Sequence, residues 1–191
     1  MPVRSPRLKI IRRLGVPLPG LTRKTAGESP AEPRTRRRRP SAYRLALEEK
    51  QKVRFNYGVT ERQMRRYLEA ARRLQGHTGE NLLLLLERRL DNTVFRLGFA
   101  ATIPAARQLV AHGHVRVNGE RVDRPADQVR VGDTVSLTLE GAAEREPVLR
   151  VPAHLRRDPG DATAGRVIAM PARADVPFPV KESLVVEFYA R

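Results

Sequence analysis

The chain has 191 residues, 40% of them hydrophobic, and carries 37 Lys and Arg against 21 Asp and Glu, for a formal net charge of +16. This charge predicts a polyanionic partner, nucleic acid first, because phosphates neutralise the self-repulsion of such a protein. The absence of cysteine excludes disulfides, thiolate zinc sites and cysteine nucleophiles. The sequence has neither an apolar run of about 20 residues nor an apolar signal core, so we expect a soluble, intracellular protein. We also expect no cofactor.

The N-terminal part of the chain carries nearly all of the excess charge. Residues 1–75 hold 21 basic and 6 acidic residues, a net charge of +15. Within them, residues 1–42 are rich in Pro, Gly and Arg and include PRTRRRRPS, a run with too few apolar positions to bury a face. We therefore predict an extended basic arm that docks through the apolar stretch LKIIRRLG. A solvated disordered tail, or a nuclear-localisation signal at Arg36–Arg39, remains an alternative.

Two helices are predicted after the arm, over residues 41–58 and 60–76. Ser41 is a candidate N-cap of the first helix, and Gly58 is its candidate end. In the second helix, Thr60 and Gln63 have the spacing of a capping box. The apolar stripe of this second helix comprises Met64, Leu68, Ala71 and Leu74.

A third helix is predicted over residues 80–98. Its apolar face comprises Leu83, Leu86, Leu90, Val94 and Leu97. Gly98 can end the helix, because glycine adopts the left-handed conformation that follows a helix. The same spacing leaves Arg89, Thr93 and Arg96 on another face, where we expect the two arginines to contact a partner.

The fourth predicted helix, residues 102–113, has Pro104 in its first turn and leaves Arg107 and Gln108 outward. The hydrophobic period then changes to two. The pair Asn118-Gly119 between short valine-containing runs predicts a β-hairpin, and residues 128–140 predict a second pair of strands. Residues 141–165 are rich in turn-forming residues. The closing SLVVEFYAR predicts a strand or a short helix that packs back on the helical part.

Two histidines flank Gly113 where the fourth helix becomes a strand. A metal site is a weak interpretation, because alternate residues of a strand point to opposite faces and no cysteine or carboxylate cluster lies nearby. The simpler interpretation makes His112 the end of the helix and Gly113 the turn. A cluster on this edge would contact phosphates and 2′-hydroxyls of folded RNA, with a merely solvated edge as the alternative. Its members are Arg107, Gln108, His112, His114 and Arg116.

The aromatic content of 5% disfavours platforms that stack single-stranded bases and favours recognition of RNA shape. The stretch LERRLDNTVFRLGFAATIPAARQLVAHGHVRVNGERVD, residues 86–123, resembles the small RNA-binding module named after ribosomal protein S-four. The stretches EEKQKVRFNYGVTERQMRRYL and ESLVVEFYAR resemble that ribosomal protein family itself. The resemblance extends over nearly the whole chain, and the order of its segments also agrees.

We therefore predict an α+β fold in four parts. Residues 1–42 form the extended basic arm, and residues 43–85 form a helical body. Residues 86–150 form an inserted RNA-binding module of helices packed on a short antiparallel sheet. Residues 151–191 form a linker and a C-terminal segment that returns to the helical body.

The resemblance implies a structural protein of the small ribosomal subunit rather than an enzyme. Family members bind a multi-helix junction in the 5′ region of the rRNA and help to nucleate subunit assembly. They line the channel through which messenger RNA enters and contribute to translational accuracy through contact with small-subunit protein five. Small-subunit protein three is a further implied partner. The stretch RRLGVPLPGLTRKT resembles cyanobacterial and plastid members, which implies a bacterial cytoplasm or a plastid stroma.

The resemblance also assigns residues to these roles. Many members carry a zinc-binding cysteine knot in the arm, which this cysteine-less chain lacks, so no metal is expected. The residues expected to bind rRNA are Arg4, Arg7, Lys9, Arg12, Arg13, Lys50, Lys52, Arg62, Arg65, Arg66, Arg89, Arg96, Arg107, Gln108, His112, His114 and Arg116. Those expected to line the messenger channel are Arg36, Arg37, Arg38 and Arg39. Those expected to meet protein five are Tyr43, Glu182 and Glu187.

Two alternatives compete with this interpretation. The stretch RRLD followed by Thr93 resembles the signature of pseudouridine synthases, in which Asp91 would be the nucleophile. Against it, Asp91 lies in a predicted helix of the module, where it can pair locally with Arg88 or Arg89. The other alternative is a freestanding RNA-binding module acting in ribosome rescue or rRNA modification, which would leave the arm and the first helices unexplained.

Overall fold

The computed structural model describes residues 6–23, 41–139 and 147–190 of the chain. The chain forms two compact units: the helical unit, residues 1–83 with 177–191, and the mixed unit, residues 84–176. The fold is α+β, as predicted. Arg4 and Arg36–Arg39, predicted to bind rRNA and messenger RNA, lie outside the described residues. Within the described ranges, no helix is both long and apolar enough to cross a membrane.

The helical unit contains α1 (Arg7–Leu14), α2 (Ala42–Asn56), α3 (Glu61–Arg72), the first residues of α4 (Thr78–Glu87) and α7 (Glu182–Ala190). Both predicted caps are confirmed. The Ser41 hydroxyl accepts a hydrogen bond from the backbone of Arg44, and Thr60 and Gln63 form a reciprocal capping box. The predicted stripe of α3 is buried except at Leu74, which is 49% exposed because α3 ends at Arg72.

The C-terminal segment, predicted as a strand or a short helix, is the helix α7 and packs on α2 as expected. The ring centroids of Tyr43 and Phe188 are 5.7 Å apart, and Val185 is completely buried. The approach of α7 to α4 requires a glycine, since a Cβ at Gly79 would lie 2.9 Å from the Glu182 Cβ.

The described part of the mixed unit contains α5 (Leu90–Arg96), α6 (Ile103–Ala111) and five antiparallel strands. The strands are β1 (Val115–Val117), β2 (Glu120–Arg121), β3 (Thr134–Leu137), β4 (Leu155–Arg157) and β5 (Ala164–Val167). Their order in the sheet is β2-β1-β3-β5-β4. Leu97 packs against the sheet at Gly165, where a Cβ would lie 2.6 Å from the Leu97 Cδ2.

The prediction of one continuous third helix over residues 80–98 is wrong, because α4 and α5 are separate helices. Arg89 lies between them in extended conformation, with φ −63° and ψ 139°. The backbone N–H of Leu90 donates to the carbonyl of Asp127 at 2.8 Å. A loop distant in the sequence therefore takes a hydrogen bond that a continuous helix would have kept. The predicted apolar face is nevertheless fully buried.

Two further predictions are corrected in the mixed unit. Residues 128–131 form no strand: Gln128 makes an isolated bridge to Arg89. Residues 155–167 do not belong to a linker, because they contain β4 and β5, which pair antiparallel within the sheet. These strands have only three and four residues, which is too short to show a period of two clearly.

Candidate nucleic-acid interface

One face of the sheet carries two pairs of arginines. Cross-strand partners lie on the same face of a sheet. Arg116 lies opposite Arg121 on one side and Ser136 on the other. Arg166 lies opposite Arg156 on one side and Thr134 on the other. Because Thr134 and Ser136 are alternate residues of β3, all of these side chains share one face. We call the set Arg116, Arg121, Arg156 and Arg166 the arginine face.

The arginine face is exposed and has no acidic counterpart within its strands. All four arginines are exposed. The single acidic residue of the five described strands, Glu120, pairs with Val117 on the opposite face. Like charges directly opposite each other in antiparallel strands destabilise a sheet. Phosphate groups would relieve this repulsion and accept hydrogen bonds from the guanidinium groups.

The predicted β-hairpin, which places Arg116 opposite Arg121, is confirmed. Asn118 and Gly119 both have positive φ, 53° and 84°, as a two-residue type I′ turn requires. The Asn118 side chain donates to Asp133 Oδ1 and accepts from the backbone of Thr134, each at 2.9 Å. Arg116 donates to the carbonyl of Gly119 at 3.0 Å. These bonds fix the register that places Arg116 opposite its partner.

The turn between α6 and β1 lies beside Arg121. His112 is the C-cap of α6, as predicted, and Gly113 follows with a φ of 75°. The Arg121 guanidinium lies so close to Gly113 that a Cβ there would collide with it. The alternation of a strand does not apply to these two histidines, because both lie in the segment between α6, which ends at Ala111, and β1, which begins at Val115. The imidazole centroids of His112 and His114 are 6.3 Å apart.

Asp91 is fully buried between two arginines. Arg89 donates from Nε and Nη2 to the two carboxylate oxygens at 2.9 and 2.8 Å. Arg107 donates from Nε and Nη2 to Oδ2 at 3.0 and 2.7 Å. The predicted local pairing with Arg89 is confirmed, whereas the nucleophile of a pseudouridine synthase would need an accessible carboxylate. The prediction that Arg89 faces outward is wrong, since it is 1% exposed. Arg107 remains partly accessible, with 34% of its side chain exposed.

Arg96 is also buried, so its predicted outward position is wrong. Its Nη2 donates to the carbonyl of Asp175 at 2.6 Å, and its Nε lies 3.7 Å from Glu87 Oε2. The same Glu87 oxygen accepts from Asn92 Nδ2 at 2.8 Å. The Asp175 carboxylate lies 2.9 Å from His154 Nδ1. Burial, only partly offset by Asp175, lowers the pKa of His154. The Arg96 guanidinium is therefore bound inside the mixed unit, to the Asp175 carbonyl and beside the Glu87 carboxylate.

Lys50 is likewise internal, which corrects its assignment to rRNA binding. Its Nζ lies 3.2 Å from Glu61 Oε2 and 4.2 Å from the centroid of the Phe188 ring. The Tyr189 hydroxyl donates to Glu61 Oε1 at 2.7 Å. Burial tends to raise the pKa of Glu61, but the bonds from Tyr189 and Lys50 together outweigh it and lower that pKa. Burial and the Glu61 carboxylate raise the pKa of the Tyr189 hydroxyl.

Most other predicted basic residues of the helical unit are exposed. The exposed set comprises Arg7, Lys9, Arg12, Arg13, Arg62, Arg65 and Arg66. Lys52 is an exception, since its side chain is 13% exposed and its Nζ lies 2.7 Å from Glu49 Oε1. A cavity of about 580 Å³ is lined by residues of α1 and α2, among them Lys9, Arg13 and Arg44.

The residues expected to meet protein five lie on α7 and at the start of α2. Tyr43 is 53% exposed although its ring contacts Phe188. Glu182 begins α7, and Glu187 is exposed on the same helix. The structure therefore brings the two predicted parts of this surface together within one unit.

Three arginines of the arginine face were missing from the residues assigned to rRNA from the sequence. Arg121 could have been found, because a two-residue Asn-Gly turn places Arg116 directly opposite it. Arg156 and Arg166 could not, because their position depends on the pairing of β5 with β3, which no local pattern indicates.

Comparison with known proteins agrees with this arrangement. Residues 2–87 match the family model described as Ribosomal protein S4/S9 N-terminal domain. Residues 88–135 match the model of the S4 domain. The second match includes α5, α6 and the hairpin that carries the first arginine pair.

Similarity to individual proteins extends over nearly the whole chain. Small ribosomal subunit protein uS4 of Thermosynechococcus vestitus is 50% identical over 198 residues, covering 98% of this chain and 97% of the relative. The protein of the same name from Synechocystis sp. gives the same identity and coverage, 50%, 98% and 97%. Small ribosomal subunit protein uS4B of Nitrosomonas europaea is 48% identical over 199 residues, covering 97% of this chain and 96% of the relative.

Proposed function

Because the chain belongs to the family of ribosomal protein S4, we propose that it is a structural, non-enzymatic component of the small ribosomal subunit that binds rRNA. The observation that supports the rRNA contact is the arginine face. Arg116 lies opposite Arg121 and Arg156 lies opposite Arg166, and the described strands carry no carboxylate on this face. The repulsion within each pair is offset when RNA phosphates lie over the sheet.

The chemistry of this contact suits the shape of folded RNA. Guanidinium groups form paired hydrogen bonds with phosphate oxygens. Between the two arginine pairs, Thr134 and Ser136 present hydroxyl groups that can exchange hydrogen bonds with 2′-hydroxyls and phosphates. At the adjacent edge, Asp91 holds the partly exposed Arg107 in place on α6, where Gln108 is exposed beside it.

The helical unit adds a second group of phosphate contacts through the exposed basic residues of α1 and α3. Such multiple contacts support a primary rRNA-binding role. The family resemblance suggests that this contact is made at a multi-helix junction in the 5′ region of the rRNA and that the protein nucleates subunit assembly there. The family resemblance further suggests that Arg36, Arg37, Arg38 and Arg39 line the channel through which messenger RNA enters.

Contact with small-subunit protein five through Tyr43, Glu182 and Glu187 is proposed to contribute to translational accuracy. Protein three is a proposed neighbour at the messenger channel. The ribosome of a bacterial cytoplasm or of a plastid stroma is the proposed location.

Co-sedimentation tests the ribosomal role. The tagged chain, expressed in a bacterium that is depleted of its own homologue, should co-sediment in equal amounts with small subunits at moderate salt. Binding to a fragment from the 5′ region of the rRNA should weaken by roughly 0.7–0.9 log units per neutralised phosphate for each tenfold rise in salt. A chain that binds RNA but is missing from small subunits would instead be a freestanding module acting in ribosome rescue or rRNA modification.

A further inference from the structure

A cavity of about 330 Å³ opens beside the turn between α6 and β1. Phe99, Leu109 and Leu139 supply its apolar walls, and Gln108, His112 and His114 supply its polar groups. Its volume is at the lower end of the range for pockets that bind small molecules, about 300–1,000 Å³. Its three polar residues are among those expected from the sequence to bind rRNA, and none of them belongs to the arginine face.

The polar groups of the cavity make no hydrogen bonds with their side chains inside the described part of the chain. The Gln108 amide is exposed, and the two imidazole rings contact each other edge to face, with planes at 62°. An amide offers a donor and an acceptor side by side, which matches the edge of a nucleobase. Imidazole rings and apolar walls suit the face of a base.

We propose that this cavity receives one unstacked nucleobase of the bound RNA, with the base face against the imidazole rings and its edge at the Gln108 amide. This inference rests on the proposed rRNA binding and adds a base-reading site to it. A phosphate is a poor occupant, because no Lys or Arg of the described residues lines the cavity. The neighbouring Arg121 guanidinium, which lies against Gly113, is placed to hold the phosphate of the same nucleotide.

The first test probes the unpaired bases of the rRNA fragment with base-specific chemical reagents. Wild-type protein should protect the edge of one unpaired base, and two variants should restore its reactivity. Ala105→Trp fills the cavity from α6, and Gln108→Ala removes the amide while leaving the helix surface intact. Each variant should bind the fragment about tenfold more weakly. Gln75→Ala, at an exposed position of the helical unit, is the matched control and should keep the protection.

The second test uses the free protein and two small probes followed by NMR. Adenosine 5′-monophosphate should shift the resonances of Gln108, His112 and His114 in the wild type but not in Ala105→Trp. Ribose 5-phosphate, which has the phosphate without the base, should leave them unchanged. Equal shifts with both probes would overturn the base site in favour of a phosphate site.

The two proposals fail differently. If both variants protect the same bases as the wild type while binding the fragment normally, the base pocket is wrong and rRNA binding stands. If the wild type protects no nucleotide of the fragment, the proposed rRNA binding itself fails.

Discussion

Arg107 on α6 donates two hydrogen bonds to the same oxygen of Asp91 on α5, at 3.0 and 2.7 Å, although the residues are 16 positions apart. The second guanidinium on this carboxylate, that of Arg89, is buried, whereas Arg107 keeps 34% of its side chain exposed. One carboxylate therefore compensates an internal charge and also orients a guanidinium at the proposed RNA surface.

Asp91→Asn should lower the stability of the mixed unit by about 3–5 kcal/mol, because it leaves Arg89 buried without an opposite charge. The measurement is the urea concentration at which the protein is half unfolded. Asp127→Asn is the control, since its pair with Arg124 is exposed and 3.9 Å long; it should change stability by less than about 0.5 kcal/mol. Equal stability of both variants would show that the Asp91 pairs contribute little.

The stability of the mixed unit should also depend on pH through His154. Burial holds the pKa of His154 below its ordinary value of 6.5, so the unfolded state binds the proton more readily than the folded state. The free energy of unfolding is therefore highest above about pH 6.5, where His154 is neutral in both states, and it decreases as the pH falls through the lower pKa of the folded state. Urea unfolding at a series of pH values should show this loss.

His154→Gln should flatten the pH profile of unfolding below neutrality, because it removes the titrating ring. His77→Gln, at an exposed position of the helical unit, should leave the profile as in the wild type. A profile unchanged by the His154 substitution would assign the acid sensitivity to other groups.

Gly113→Ala should weaken rRNA binding by about fivefold, equivalent to roughly 1 kcal/mol. The new methyl group displaces the Arg121 guanidinium, which occupies that space. Gly119→Ala is a close control, because Gly119 has a similarly positive φ of 84° but nothing lies within 4 Å of its added Cβ. Both variants should be destabilised by about 1–2 kcal/mol, yet only Gly113→Ala should lose affinity. Equal affinity loss would point to backbone strain instead.

The double variant Arg116→Ala with Arg121→Ala should lower both rRNA affinity and its salt dependence. The slope should fall by roughly 0.7–0.9 for each phosphate contact removed. Stability should stay level or rise slightly, since the opposed like charges disappear. Arg124→Ala, whose side chain is 82% exposed outside the strands, controls for charge alone. If Arg124→Ala lowered the rRNA affinity as much as each arginine of the double variant does, net charge and not the arginine face would drive binding.

Glu187→Lys should raise stop-codon readthrough by roughly twofold or more, if α7 meets protein five when the subunit is open. Weakening a contact that is made only in the open state shifts the population toward the closed, error-prone state. Glu69→Lys, exposed on α3, makes the same charge change elsewhere. A dual reporter in cells carrying each variant measures the effect. If Glu187→Lys left readthrough at the wild-type level while the subunits assembled normally, Glu187 would not lie at this interface.

The sequence alone determined the elements whose signals are local. The caps at Ser41 and Thr60, the hairpin at Asn118-Gly119, and the helix end at His112 and Gly113 each depend on hydrogen bonds between residues a few positions apart. Residue type and short spacing specify such bonds. Net charge and motif order likewise sufficed to predict an RNA-binding protein of this family and its α+β fold.

Only the tertiary structure decided which charged residues are internal and which face solvent. Helical periodicity placed Arg89 and Arg96 outward, but the loop that bonds to Leu90 breaks the helix, and buried carboxyl groups hold both arginines inside. Lys50 is internal because α7, distant in the sequence, packs over it. Arg156 and Arg166 join the arginine face only because β5 pairs with β3. A period within one segment specifies which residues share a face, whereas contacts with distant segments decide which face is covered.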